Sequence, residues 1–204
     1  MATRTRQEVA DEVLMLRFQR GDVGSFAELM QRHKTPLFNF VRRHLRSPHA
    51  AEDLLQDTFL RVVQNSAEFK HEARFATWLY TIARNLCIDH FRKASLRSYD
   101  SLDRPRTDNH RPLSESAEDH GPRGSVERSA VASELREKIA MAIEILPEDQ
   151  REVFLLREVA NLPFKEIAQI TSTPENTVKS RMRYALERLQ SSLQVYEDDA
   201  RALE

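Results

Sequence analysis

Apolar residues recur at spacings of three and four along most of this chain, which is the pattern of helices with one buried face. In the first half, the pattern predicts helices over residues 9–20, 25–44, 49–67 and 74–93. The clearest apolar sets lie in the second and third helices: Phe26, Leu29, Met30, His33 and Leu37, and then Leu54, Leu55, Phe59, Val62 and Val63. Few stretches alternate apolar and polar residues as a half-buried strand does, so the sequence predicts an all-α protein.

The second half continues the helical pattern and ends in a predicted helix-turn-helix. One helix is marked by Leu135, Ile139, Ala142, Ile143 and Leu146, and it stops at Pro147. Residues 151–189 then predict three short helices. The middle helix has an apolar face formed by Phe164, Ile167, Ala168 and Ile170, and the polar turn 171–173 follows it. A short helix, a turn and a longer helix in this order are typical of proteins that bind duplex DNA.

The last of these helices has two different faces. Pro174 is expected at its first helical position, with Thr173 as the N-cap or Ser172 and Glu175 as a capping box. The apolar face is formed by Val178, Met182, Ala185, Leu186, Leu189 and Leu193. The outer face is left to Lys179, Ser180, Arg183 and Tyr184. A basic, hydrogen-bonding face suits a DNA major groove, although many solvated helices also carry lysine and arginine.

Residues 94–128 differ in composition from both helical halves. They hold three prolines, two glycines, six serines and few large apolar groups, so they cannot form a core. We therefore predict two helical domains joined by a flexible linker, with boundaries at 1–93, 94–128 and 129–204. A coil of this length would span about 30–35 Å, enough to place the two domains on separate DNA sites, although a passive tether explains it equally well.

Composition excludes several classes of protein. The 204 residues carry a formal net charge of −1, so any affinity for nucleic acid must come from local basic patches. The single cysteine, Cys87, excludes an intrachain disulfide, and with His90 it is too small a set for a zinc site. No apolar run is long enough to cross a membrane and the N-terminus lacks a signal peptide, so we expect a cytoplasmic protein. We find no catalytic group, metal cluster or cofactor motif, and expect no enzyme.

The predicted third helix has an acidic face. Between residues 50 and 64, Glu52, Asp53 and Asp57 stand against a single arginine, Arg61. Asp53, Gln56 and Asp57 share one side of the helix because they are three and four residues apart. Such a surface repels phosphate and suits a basic protein partner, unless it is ordinary solvated surface.

The next segment reverses the sign of the charge. Residues 70–93 carry five lysines and arginines against two acidic residues, interleaved with aromatic rings. Cations among rings are the ingredients of single-strand binding, in which bases stack on the rings. Several rings, including Trp78, also fall at core spacing and are better explained as core residues than as stacking platforms. Phe69, Lys70, His71 and Arg74 lie in or beside a predicted loop and are better placed for direct contact.

With these three segments identified, the chain resembles the extracytoplasmic-function (ECF) sigma factors of the sigma-70 family, which are bacterial transcription initiation factors. DLLQDTFLRV at 53–62 resembles their polymerase-binding helix, and FATWLYTIARN at 75–85 resembles their promoter-melting segment. LPEDQREVFLLREVANLPFKEIAQI at 146–170 and TVKSRMRYALERL at 177–189 resemble their −35-reading module.

The resemblance implies a role for each segment. Core RNA polymerase would be bound by Asp53, Leu54, Gln56, Asp57, Phe59 and Arg61. The −10 element would be melted and held by Phe69, Lys70, His71, Arg74, Phe75, Thr77, Trp78, Arg84, Asn85 and Arg92. The −35 duplex would be read by Thr177, Lys179, Ser180, Arg181, Arg183 and Tyr184. The resemblance also implies an anti-sigma factor as a regulator, a stress-response role and a monomer within the holoenzyme. From the residues alone, an operator-binding regulator that does not join polymerase remains an alternative, as does a helical interaction protein.

Overall fold

The computed structural model describes residues 9–45, 47–100 and 126–196, and this part of the chain contains helices and no strand. The first four helices are α1 (Asp11–Gln19), α2 (Val23–Leu45), α3 (Pro48–Gln64) and α4 (Phe75–Asp100). The last four are α5 (Val126–Ile145), α6 (Glu148–Glu158), α7 (Phe164–Thr171) and α8 (Glu175–Leu193). Short 3₁₀ turns follow α3 at Ser66–Glu68 and α8 at Gln194–Tyr196. The predicted all-α fold with two helical domains is confirmed.

Helices α1 to α4 form the first domain, and polar contacts fix how they meet. Asp11 at the start of α1 pairs with Arg32 and His33 of α2, each at 2.7 Å. Oε1 of Glu12 accepts a 2.9 Å hydrogen bond from the backbone N–H of Phe75, one of the amides at the start of α4 that no helical carbonyl can satisfy. Nε2 of Gln19 donates to the carbonyls of Ser66 and Phe69. Helix α1 therefore holds the loop that leads into α4.

Helices α5 to α8 form the second domain, which contains the predicted helix-turn-helix. Its core combines Leu155 and Leu156 of α6, Ile167 of α7 and Val178 of α8. The turn between α7 and α8 depends on Ser172, whose backbone is left-handed with φ 51°. Asn161, before α7, has the same left-handed φ of 51°. Asparagine tolerates this conformation better than most residues with a β-carbon, and both residues reverse the chain sharply.

Neither predicted cap for α8 is present. The Thr173 hydroxyl donates to the carbonyl of Thr171 and accepts from no backbone N–H at the start of α8, and the helix begins one residue after Pro174. Ser172 ends α7, which leaves no capping box with Glu175. Because the chain must reverse within three residues, the left-handed backbone sets the turn and the side chains satisfy α7 instead of α8.

Helices extend into both ends of the segment predicted as a linker. Helix α4 continues through Asp100, and α5 begins at Val126. Residues 94–100 contain neither proline nor glycine, the residues that most strongly disfavour a helix interior. The rest of the predicted linker, residues 101–125, lies outside the described residues.

Most predicted core positions are buried or half-buried, and three are exposed, namely Val63, Ile139 and Leu186. Val63 and Leu186 lie at the edge of the apolar face of their helices, whereas Ile139 lies near the middle of its face. A position at the edge reaches the core only when a neighbouring helix covers it, and sequence spacing does not reveal that cover. In the described ranges no helix is both long enough and apolar enough to cross a membrane.

Candidate polymerase and nucleic-acid interfaces

The acidic face of α3 is on the surface as predicted. Asp53, Gln56, Asp57 and Arg61 are all exposed. Leu54 and Phe59, which we also expected at this interface, are buried in the core and cannot contact a partner directly. They lie on the opposite side of α3 because an amphipathic helix separates its polar and apolar residues.

Sequence reasoning missed one member of the acidic face. The Leu60 side chain is 54% exposed, and it lies four residues after Gln56 and three after Asp57, on their side of the helix. A large apolar group among carboxylates is a common composition for a protein-binding surface, where an apolar contact is bordered by charge. Its spacing from Asp57 was the available signal.

The loop before α4 has exposed cations over a buried ring. Lys70, His71 and Arg74 are exposed, whereas the Phe69 side chain is only 4% exposed. Its ring lies 6.0 Å from Phe75 and 5.3 Å from Trp78, centroid to centroid. The expectation that Phe69 contacts a base directly is therefore wrong for this conformation, because the aromatic cluster encloses the ring.

Two further members of the predicted −10 set differ in their exposure. Phe75 is fully buried beneath α1 and α2, so it supports the loop and does not contact DNA directly in this conformation. Trp78 is half-buried against the core and keeps part of its ring accessible. Phe75 is thus a core residue, whereas Trp78 packs on the core and still offers an accessible surface for stacking.

Three members of the predicted −10 set contact the second domain. The Thr77 hydroxyl donates to Glu166 of α7, and Arg74 lies near the same carboxylate. Nε of Arg84 donates to Oε1 of Glu152 of α6 at 2.7 Å. Asn85 is exposed, and Arg92 is exposed near Asp89.

Cys87 is a core residue, as expected. It is fully buried, and burial raises the pKa of its thiol to about 12, with the Glu152 carboxylate adding to the effect. His90, three residues later on α4, is exposed. Among the described residues, no three His, Cys, Asp or Glu side chains are placed together to hold a metal ion.

The outer face of α8 is exposed along its whole length. Thr177, Lys179, Ser180, Arg183 and Tyr184 are all accessible. Lys179 pairs with Glu175 and Arg183 lies near Glu187, both within the helix, and such exposed pairs are easily exchanged for phosphate contacts.

Arg181 differs from the rest of the predicted −35 set. Its Nε lies 3.0 Å from Oδ2 of Asp149 on α6, and its Nη1 lies 3.4 Å from the Thr173 hydroxyl. Position 181 is on the side of α8 that packs against its own domain. Arg181 therefore braces the helix in place and does not face outward.

Glu152 and Glu166 are interface residues that sequence reasoning missed. They lie on α6 and α7, and they bind α4 from 68 and 89 residues away along the chain. A cleft of about 330 Å³ lies beside the Glu152 contact, between α4 and the second domain. No local pattern marks either glutamate, since periodicity describes one helix at a time and says nothing of which helices meet.

This arrangement defines a two-domain helical DNA-binding protein, and comparison with known proteins identifies its family. The sequence profile described as Sigma-70 region 2 matches residues 29–97, and the profile described as Sigma-70, region 4 matches residues 136–189. The first covers the acidic face and most of α4, and the second covers the helix-turn-helix.

Relatives match over nearly their whole length. The chain is 33% identical to the ECF RNA polymerase sigma factor SigW of Bacillus subtilis, over 86% of this chain and 92% of that protein. It is 30% identical to the RNA polymerase sigma-H factor of Pseudomonas aeruginosa, over 90% of this chain and 94% of that protein. The chain belongs to the ECF sigma factors of the sigma-70 family. It is therefore a transcription initiation factor and not an enzyme, and the operator-binding alternative is not retained.

Solved structures agree on the fold. The sigma factor RpoE of Bartonella quintana, crystallised with the anti-sigma factor NepR, is 24% identical and matches with a TM-score of 0.64. That match covers 83% of this chain and 97% of the solved one. CnrH, in complex with the cytosolic domain of CnrY, is 20% identical with a TM-score of 0.63 over 92% and 99% of the two chains.

Proposed function

We propose that this sigma factor divides promoter recognition among the three surfaces described above. The acidic face of α3 docks on core polymerase, the loop 69–74 with α4 holds the melted −10 strand, and the outer face of α8 reads the −35 duplex. The observation that carries the proposal is the separation of charge, because an acidic face and two basic faces lie on different helices of one chain. The domain boundaries at residues 93 and 129 remain part of this proposal.

The polymerase surface is proposed to consist of Asp53, Gln56, Asp57 and Arg61, with Leu60 added. Exposed carboxylates attract a basic partner into contact, and burial of the exposed leucine against that partner contributes favourable hydrophobic free energy. Leu54 and Phe59 contribute only by holding α3 against the core.

The −10 surface is proposed to use Lys70, His71 and Arg74 of the loop with Arg84, Asn85 and Arg92 of α4. Cations spaced along a loop and a helix can follow a single-strand backbone, and the accessible edge of Trp78 offers a ring for stacking. Trapping a flipped base would offset an unpairing cost of a few kcal/mol. Phe69 and Phe75 keep the loop in shape from below.

The −35 surface is proposed to consist of Thr177, Lys179, Ser180, Arg183 and Tyr184. These residues fall on one exposed side of α8, which follows the turn at Ser172, and a helix in this position enters the major groove in helix-turn-helix proteins. Arg181 is proposed to orient α8 through Asp149 without contacting a base.

Regulation by an anti-sigma factor and a cytoplasmic location complete the proposal. RpoE and CnrH were each solved with a partner, NepR in one case and CnrY in the other, and this chain shares their fold. A protein that covers one or more of the three surfaces would keep this factor inactive. If no such protein co-purifies from the native host under any growth condition, this part of the proposal is wrong.

Transcription in vitro tests the division of roles. Core polymerase from the native host would be supplied with the full chain and with genomic promoter fragments, and transcripts would be mapped. We expect start sites that depend on the added chain. Three variants, Asp57→Ala, Arg84→Ala and Lys179→Ala, should be impaired in polymerase binding, strand opening and duplex binding respectively. If all three lose the same step, the assignment of separate surfaces is wrong.

A further inference from the structure

Two glutamates of the second domain occupy part of the proposed −10 surface of α4. Glu152 of α6 contacts Arg84 through both carboxylate oxygens, at 2.7 Å to Nε and 3.4 Å to Nη2. Glu166 of α7 accepts a hydrogen bond from Thr77, and its Oε1 lies 3.5 Å from Nη1 of Arg74. Thus α6 and α7 each place one carboxylate against residues that we propose bind the melted strand.

Glu152 is well enclosed in this contact. Its side chain is 13% exposed and that of Arg84 is 20% exposed. His44 of α2 adds a third group, with its Nε2 3.8 Å from the same carboxylate. Burial alone would raise the pKa of Glu152, but the hydrogen bonds and charges of His44 and Arg84 together hold it below its usual range. The carboxylate is therefore ionised at neutral pH and keeps Arg84 neutralised.

Carboxylate and phosphate compete for the same donors. A guanidinium binds either anion through its fork of N–H groups, and Nε and Nη2 of Arg84 both already face Glu152. A strand that approaches α4 must first displace Glu152 and Glu166, and the helices that carry them must move away with them. The other two proposed surfaces, the acidic face of α3 and the outer face of α8, are exposed and accessible without movement of α6 and α7.

We infer that the second domain closes over the strand-binding face of α4 and inhibits it, with Glu152 and Glu166 as the contacts that hold the closed form. The inference rests on the proposed function for the identity of the covered surface. In the closed form the chain can dock on polymerase and touch duplex DNA, but it cannot hold a single strand. Opening exchanges two glutamates for phosphates at Arg84, Thr77 and Arg74.

The test uses the full chain with both contacts neutralised, as Glu152→Gln/Glu166→Gln. A matched control, Glu137→Gln/Glu158→Gln, removes the same charge from exposed positions of α5 and α6. Small-angle X-ray scattering measures the radius of gyration, and fluorescence anisotropy measures binding to a labelled short single strand of random sequence. Because affinity scales with the fraction of binding-competent molecules, a variant that opens from a mainly closed form should bind about tenfold tighter than the control.

Each outcome decides a different point. A larger radius of gyration with tighter strand binding supports the closed form and the covered surface together. A larger radius without tighter binding supports closure and counts against the assignment of α4 as the strand-binding surface. An unchanged radius overturns the inference, whatever the change in affinity. If the double variant loses its helical circular dichroism, Glu166→Gln alone serves instead, since its partner Arg74 is half exposed and the contact is easier to remove without loss of folding.

Discussion

Arg84 of α4 and Glu152 of α6 form an ion pair with 2.7 Å between Nε and Oε1, and the two residues are 68 positions apart in sequence. The pair joins the two domains at a residue that we propose holds the −10 strand. On that proposal, one side chain serves the closed protein and, once released, the DNA complex.

The Arg84–Glu152 ion pair should make the free energy of unfolding depend on pH in acidic solution. The pKa of Glu152 lies below its ordinary value of 4.5, so the folded state favours the charged carboxylate. Its contribution is complete above pH 4.5 and is lost as the pH falls through the lowered value. At pH 7 we expect the free energy of unfolding of wild type to exceed that of Glu152→Gln by about 1 kcal/mol, which corresponds to roughly 3 °C in Tm.

Thermal unfolding of both proteins between pH 7 and pH 3 would measure this difference. The gap in Tm should be constant down to pH 4.5 and then shrink. Arg84, His44 and Cys87 surround the carboxylate, and Glu152→Gln removes the charge with which each of them interacts. A gap of the same size at every pH would contradict the prediction.

Asp57→Ala should weaken assembly with core polymerase. Asp57 is exposed on the acidic face, and removing one carboxylate at the centre of a charged docking surface commonly reduces affinity about tenfold. Titration of labelled protein with core polymerase gives the Kd. Binding of the variant to random duplex DNA should be unaltered.

Glu68→Ala is the matched control for Asp57→Ala, since it removes the same charge from an exposed position of the 3₁₀ turn after α3. It should assemble like wild type. An Asp57→Ala protein that forms holoenzyme at the wild-type Kd would remove the acidic face from the polymerase interface.

Lys179→Ala should weaken dependence on the −35 element. If Lys179 contacts a phosphate, its loss should lower holoenzyme affinity several-fold at low salt and reduce the slope of log K against log salt by about one. The measurement is holoenzyme binding to a promoter obtained from the transcription assay, at several salt concentrations, with and without the −35 sequence.

Arg188→Ala gives the comparison for Lys179→Ala. Arg188 is exposed and lies two helical turns after Arg181, on that side of α8 and away from Lys179. The Arg188→Ala substitution removes one positive charge and leaves the proposed −35 surface unchanged. Equal loss of affinity in both variants would mean that α8 acts by general charge and not by a defined face.

Asp11→Asn should destabilise the first domain. The Asp11 carboxylate binds Arg32 and His33 at 2.7 Å each, and these partners together hold its pKa below the usual range despite the opposing effect of burial. Losing charged hydrogen bonds between α1 and α2 should cost about 2 kcal/mol of unfolding free energy. Urea denaturation followed by circular dichroism would measure it. Glu68→Gln, on the surface, should change it little.

Local patterns in the sequence predicted the helices well. Periodicity placed the first four helices to within three residues at every end except the C-terminal end of α4, because each buries one face against its neighbours. Errors arose where neighbours decide the outcome. Phe69 looked like an exposed ring beside cations, but Gln19 of α1 binds its carbonyl and the aromatic cluster encloses it. The fourth helix, predicted to end at residue 93, likewise continues to Asp100.

The contact between domains could not be predicted from the chain alone. Glu152 and Glu166 lie in segments whose other features indicate a DNA-binding module, and acidic residues there read as solvated surface. Their partners come from a different domain, so the relevant neighbours are distant in sequence. Pairing of this kind is a property of the folded surface, whereas propensity and periodicity are properties of a single segment.

Asn161 and Ser172 lie on either side of α7 and both have a left-handed backbone. The orientation of α7 is therefore set by these two backbone turns. Exposed side chains between them, such as Lys165 and Gln169, can therefore be replaced without tilting α8. Variation at these positions would change what the second domain touches while the angle of its reading helix stays constant. A library of variants restricted to such positions would alter which partners the second domain binds without altering its backbone.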